Sequence, residues 1–179
     1  MDRGELDRTA NVLGALSLVL ADRVADAVAD AAGHSVTAAT ALSALHHFLD
    51  RPSIDLLRQV LGLTSSGTVR LVDRLERDGY VVRGPGADGR STAISLTAAG
   101  RRAATRVAAA RAEVLSGVLG TLSAEERATL DAIASRVLVG TARGPGATRW
   151  ICRLCDTLAC GRAEGRCPLA NAMAERYGS

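Results

Sequence analysis

The stretch Thr64–Gly100, T-S-S-G-T-V-R-L-V-D-R-L-E-R-D-G-Y-V-V-R-G-P-G-A-D-G-R-S-T-A-I-S-L-T-A-A-G, decides how this chain folds. Thr64 is placed to cap a helix, and Val69, Val72 and Leu75 recur every third residue along its expected buried face. Gly79 stands where a helix ends in a left-handed residue. Off the apolar stripe lie Ser65, Ser66, Thr68, Arg70, Arg74 and Arg77, short hydroxyls and guanidinium groups with the reach to meet base edges and phosphates. Tyr80–Arg83 then reads as a strand, Gly84–Gly89 as a loop tip, and Thr92–Leu96 as the returning strand. A new helix starts at Thr97.

Working outward, Ser53 can cap a short helix over Ile54–Leu61, and Gly62 supplies a tight turn into the Thr64 helix. Two helices at a tight turn followed by a hairpin give the outline of a winged helix-turn-helix. Further upstream, residues 7–32 read as one amphipathic helix with Leu13, Leu16, Leu20, Val24 and Val28 on a stripe widened by Val12 and Val19. Gly33 ends it. Thr37–Leu49 reads as a helix with Leu42, Leu45, Phe48 and Leu49 inward; His46 and His47, being adjacent, fall on different faces. Downstream, residues 97–119 give a long helix striped by Ala103, Val107, Ala110, Val114 and Val118. Ser123 and Glu126 form a capping box for a last long helix with Leu130, Ile133, Val137 and Leu138 inward, closing at Gly140. The fold class is mainly α: a winged helix-turn-helix with a small β-hairpin wing and long dimerisation helices, plus a short Cys-rich tail.

The run G-T-V-R-L-V-D-R-L-E-R-D-G-Y (Gly67–Tyr80), followed by Asp88, Arg90, Leu96, Thr97 and Gly100 in a D-x-R…L-T-x-x-G pattern, resembles the MarR family of bacterial transcription regulators. By element order the resemblance extends over about residues 5–140. It implies a homodimer, joined through the first and last long helices, that binds a palindromic operator in double-stranded DNA. The recognition helix would enter the major groove with Ser65, Ser66, Thr68 and Arg70 foremost, and Arg90 at the wing tip would enter the minor groove. Asp88 would orient the wing or an arginine. Family members bind apolar acids in a cleft beside the DNA-binding lobe, which makes His46, His47 and Phe48 candidates for a small-molecule effector site.

Composition agrees with a helical, lightly charged protein. Of 179 residues, 47% are hydrophobic but only four are aromatic, so alanine and leucine must do most of the packing. The 22 basic residues are all arginine and the net charge is only +3, which favours a few placed contacts over a general polyanion coat. No apolar run reaches the length of a membrane span and the N-terminus lacks a signal-peptide pattern, so the expected location is the cytoplasm. No P-loop, nucleophile elbow or H-E-x-x-H motif is present, and an enzyme is not expected. A winged-helix adapter that binds protein is the competing reading; the polar side chains on the Thr64 helix argue against it.

The tail is different in kind. Residues 1–142 carry the winged-helix and dimerisation elements, with the DNA-binding lobe at about 37–97, whereas 143–179 form a separate segment after the linker Arg143-Gly144-Pro145-Gly146. All four cysteines are here: Cys152, Cys155, Cys160 and Cys167, spaced C-x2-C-x4-C-x6-C. In a cytoplasmic chain such a cluster reads as metal-binding before disulfide-forming, and thiolate-only ligation suits structural Zn2+. The Cys167-Pro168 ending leaves an iron–sulfur cluster open, and redox-active thiols form a third reading. Leu169–Tyr177 suits a short closing helix.

Overall fold

The computed structural model describes residues 3–86 and 91–178. In chain order its elements are α1 (Arg3–Ala32), α2 (Val36–His47), α3 (Ile54–Leu61), α4 (Ser65–Arg77), β1 (Val81–Pro85), β2 (Thr92–Leu96), α5 (Ala98–Leu119), α6 (Ala124–Thr141), α7 (Ala147–Ile151) and α8 (Pro168–Tyr177).

One capping device recurs. Ser35, Ser53, Thr64, Thr97 and Ser123 each stand in extended conformation before a helix and accept a hydrogen bond from a backbone N–H three residues on. Each satisfies a donor the helix cannot, an effect of about 1 kcal/mol. At Ser123 the Glu126 carboxylate returns the bond to the cap N–H, completing the capping box.

The core of the winged-helix lobe is built from Leu42, Leu45, Leu57, Val60, Leu71, Val72, Leu75, Val81 and Ile94, with the alanines of α2 and α5 between them. Small residues let α2 and α5 approach closely, as the scarcity of aromatics requires. β1 and β2 pair antiparallel in the register Val81↔Leu96, Arg83↔Ile94, Pro85↔Thr92. The Ile94 N–H reaches the Pro52 carbonyl at 3.0 Å, which ties the wing back to the start of α3. At the turn into α5, a Cβ on Gly100 would stand 2.0 Å from the Tyr80 carbonyl oxygen, so no other residue fits unshifted.

A smaller cluster of Val28, Ala32, Ala39 and Val107 joins α1 to α2 and α5. A third, of Ala142, Ala147, Cys152, Cys167, Leu169 and Met173, lies within the tail. Among the described residues no single helix is long and apolar enough to cross a membrane.

Several expectations are corrected. α2 begins at Val36 and stops at His47, leaving Phe48 as its C-cap. β1 runs on through Gly84 to Pro85. α6 passes through Gly140 to Thr141, because nothing forces that glycine to positive φ. α7, inside the expected linker and tail, is a short additional helix. Val69 is exposed; the buried stripe of α4 is Thr68, Leu71, Val72 and Leu75, spaced i, i+3, i+4, i+7 as a 3.6-residue period requires. α6 buries none of its residues, so Leu130, Ile133, Val137 and Leu138 form an outward apolar face instead of an inner one. Val12, Leu13, Leu16 and Val19 on the first half of α1 are likewise exposed.

Candidate nucleic-acid interface and thiol cluster

α4 presents Ser66, Arg70, Arg74 and Arg77 to solvent along one side, with Ser65 exposed at its first turn. The Thr64 hydroxyl accepts from the Gly67 N–H at 3.1 Å, leaving the first turn of α4 open toward that side. Arg70 folds back, its Nε donating to the Ser66 carbonyl at 3.3 Å and its Nη2 to Ser66 Oγ at 3.4 Å. Thr68 does not join this row. It is fully buried and its hydroxyl donates to the Thr64 carbonyl at 3.0 Å, so its expected place on the exposed side is corrected. Threonine hydroxyls make this i−4 bond readily, which lets a polar residue occupy a core position. Asp88 and Arg90 lie outside the described residues.

The wing is fixed to α4 by an arginine that sequence reasoning passed over. Arg83 on β1 donates through Nη2 to Asp73 at 2.5 Å and through Nη1 to Glu76, and Glu76 Oε1 accepts from the Arg83 N–H at 3.2 Å. Asp73 hydrogen bonding, opposed by partial desolvation and helped by Glu76, raises the Arg83 pKa further. Asp73 and Glu76 stand three residues apart on one side of α4, and a basic residue on the next strand was the available signal. From the other side, Arg51 Nη2 donates to the Pro85 carbonyl at 2.6 Å. Arg83 thus ties the wing to α4, and Arg51 ties the end of β1 to the segment between α2 and α3.

The histidines at the end of α2 do meet, with ring centroids 4.9 Å apart at 74°. His46 remains exposed. The His47 side chain is only 9% exposed, with Nδ1 3.8 Å from Asp156 Oδ1, while its Nε2 has no hydrogen-bond partner among the described residues. Burial lowers its pKa; His46 and Arg111 add to this and Asp156 opposes it. His47 and Phe48 line a cleft of about 750 Å3 whose other wall belongs to the tail, including Arg149, Thr157, Arg162 and Met173. His46 opens onto a different, smaller depression, so the three candidate effector residues do not share one site.

In the tail, Cys152 caps the end of α7 and Cys167 precedes Pro168 at the start of α8, both buried; Cys155 and Cys160 are half-buried. The chain between them is tightly turned. Asp156 Oδ1 accepts from the Leu158 and Ala159 N–H groups at 2.9 and 3.2 Å, and Gly161 and Gly165 adopt φ of 64° and 66°. A Cβ on Gly161 would lie 2.6 Å from Arg166 Nε, so the arginine folds over that turn. All four thiols are free. Cys152 interacts with Cys155 and Cys160 with Cys167. The bond from Cys152 lowers the Cys155 pKa to about 6 against the effect of burial, with Arg111, Arg162 and Arg153 assisting. Burial, then the Cys167 thiol, pushes Cys160 up to about 11. Arg153 and Arg162 of the tail act on Cys155, and Arg111 reaches it from α5. Among the described residues no three His, Cys, Asp or Glu side chains are grouped tightly enough to hold a metal ion as they stand. All four cysteines nonetheless pack in one cluster and line one cavity.

The MarR family model matches residues 32–91. No curated protein matches the sequence. YusO from Bacillus subtilis is 19% identical with a TM-score of 0.63, over 76% of this chain and 97% of YusO. A Staphylococcus aureus MepR mutant bound to an oligodeoxyribonucleotide is 19% identical with a TM-score of 0.56, over 74% of this chain and 96% of MepR. A Mycobacterium tuberculosis MarR family protein in complex with p-aminosalicylic acid is 23% identical with a TM-score of 0.56, over 72% and 96%. These likenesses carry the fold.

Proposed function

We propose, from the premise that its winged-helix lobe is of the MarR family, that the chain is a DNA-binding transcriptional regulator that acts as a homodimer on a palindromic operator. It works by binding and not by catalysis. The observation that carries this reading is the row Ser65, Ser66, Arg70, Arg74 and Arg77 on α4, with the wing held to that helix by Arg83. Inserted in a major groove, the hydroxyls of the first turn meet base edges and the guanidinium groups take guanine edges or phosphates bidentately. The amino end of α4 adds unpaired N–H groups that favour phosphate. Arg90, at the wing tip by sequence, is assigned to the minor groove and Asp88 to orienting the wing.

The unpartnered apolar faces of α1 and α6 supply the dimer contact. Exposed Leu13, Leu16, Ile133 and Val137 leave more apolar surface than a monomer keeps without a partner. A two-fold dimer sets two copies of α4 on half-sites about one helical turn apart. The cleft at His47 and Phe48 is the place for a small-molecule effector.

In the tail, Cys152, Cys155, Cys160 and Cys167 are read as the ligands of one structural Zn2+. Four sulfurs with no competing carboxylate suit a soft divalent ion, which would supply a cross-link that so small an apolar cluster lacks. A brown, iron- and sulfide-containing protein would replace zinc by an iron–sulfur cluster.

The test is selection of duplexes from a random pool by the full chain, followed by gel retardation and light scattering. Recovery of a two-fold symmetric sequence bound by a dimer is the expected result. Failure to enrich any sequence, or a folded monomer at micromolar concentration, contradicts the reading.

A further inference from the structure

The residues beside Cys155 are also those that fasten the tail to the rest of the molecule. Leu154 packs against the Val28, Ala32, Ala39 and Val107 cluster where α1, α2 and α5 meet. Asp156 faces His47 Nδ1 at 3.8 Å, and Thr157 Oγ1 donates to the His47 carbonyl at 3.1 Å. That carbonyl belongs to the last residue of α2, where the helix leaves orphan acceptors, so the tail supplies part of its C-terminal capping. Elsewhere α7 packs on α3, and α8 packs on α6, where Arg176 donates to the Val139 carbonyl at 3.3 Å. The tail therefore grips α2 and α3 of the DNA-binding lobe with one side and the long helices with the other.

The thiols are arranged so that closing them would pull on this grip. They pack around one cluster and line one cavity without being drawn tightly together, and only Asp156–Ala159 separates Cys155 from Cys160. Bringing four sulfurs onto one ion at Zn–S distances of about 2.3 Å requires them to converge. Asp156 and Thr157 lie inside the segment that must follow. Each ligating thiol releases its proton to solvent as it takes the metal, and no oxidant is involved.

We infer that Cys152, Cys155, Cys160 and Cys167 form a regulatory Zn2+ site whose filling braces the DNA-binding lobe through Leu154, Asp156 and Thr157 and so strengthens DNA binding. This rests on the DNA-binding reading above and deepens it: zinc is an effector as well as a clip. The loaded tail fixes α2 and α3 relative to α1 and α5 before DNA arrives, so less ordering is left to be done on binding. The coupling is reciprocal, and DNA tightens zinc by the same factor.

The experiment uses the full chain, stripped with a chelator under reducing conditions and then titrated with Zn2+ or Co2+. Zinc stoichiometry, the cobalt–thiolate absorption, affinity for the selected duplex and amide exchange over residues 45–50 are read together. One ion per chain on four thiolates, DNA affinity higher on the order of five-fold or more, and slowed exchange at the end of α2 are expected. Cys155→Ser should abolish all three. Thr157→Val, which touches no ligand, should keep the stoichiometry and the cobalt spectrum but shrink the zinc effect on affinity by about two-fold or more, the size of one hydrogen bond. Equal or weaker DNA binding by the loaded protein overturns the inference, as does a chain that takes up no zinc. If no duplex is bound in either state yet zinc still slows exchange at the end of α2, the DNA-binding reading fails while the brace stands; unchanged exchange as well removes both.

Discussion

The winged-helix lobe and the cysteine tail solve the same problem with different materials. The lobe surrounds Leu42, Leu57, Leu75, Val72 and Ile94 with capped helices and a paired hairpin, burying enough apolar surface to hold itself. The tail's buried cluster has two alanines, two cysteines, Leu169 and Met173, and Leu158 in the same segment is 77% exposed. A segment with so little to bury needs either a cross-link or a host. Here it has a host in α2, α3 and α6. One chain can thus carry a unit with its own buried core and a second that leans on its neighbours.

That contrast can be pressed at several points. Leu75→Ala, in the centre of the lobe, should cost about 2–5 kcal/mol whether zinc is present or not, measured by denaturant unfolding. A cost that vanished with zinc would merge the two units. Gly100→Ala should destabilise by about 1–3 kcal/mol, since its Cβ would meet the Tyr80 carbonyl, while Gly117→Ala on the same helix meets open space and should be neutral or stabilising. Similar effects at both positions would mean that the wing junction is looser than its contacts imply. Removing metal with a chelator should raise amide exchange over 147–177 and at the end of α2 while leaving the central residues of α4 and α5 protected. Uniform loss would deny the lobe its independence. At the small end, Ser123→Ala should cost about 1 kcal/mol by breaking the capping box of α6, seen as a modest drop in melting temperature.

Much of the lobe was legible in the sequence because its signals are local. Ser53, Thr64, Thr97 and Ser123 announce helix starts, Gly62 and Gly79 announce ends, and all behave so. Val69 and Thr68 were exchanged because three-residue spacing drifts off a 3.6-residue face and because a threonine can hide its hydroxyl on its own helix. α6 differs for another reason: its apolar face is genuine, but among the described residues nothing buries it. Arg83 with Asp73 and Glu76, Arg111 beside Cys155, and Thr157 on His47 are long-range meetings that spacing cannot give. α7, at five residues, is too short for periodicity to register. The tail's composition pointed to a special site, and only the fold revealed what that site leans on.

The central claim is that the exposed side of α4 is the DNA-reading surface, and one titration tests it most directly. Fluorescence anisotropy of the selected duplex should be followed with the zinc-loaded wild type and with Arg74→Ala, whose side chain has no hydrogen bond or ion pair among the described residues and whose loss should not disturb the fold. A drop in affinity of about 1–3 kcal/mol, roughly five- to 150-fold, with unchanged circular dichroism and dimer mass, is the expected result. Wild-type affinity in Arg74→Ala, repeated in Arg70→Ala, would contradict the claim and move the DNA-binding surface elsewhere on the molecule.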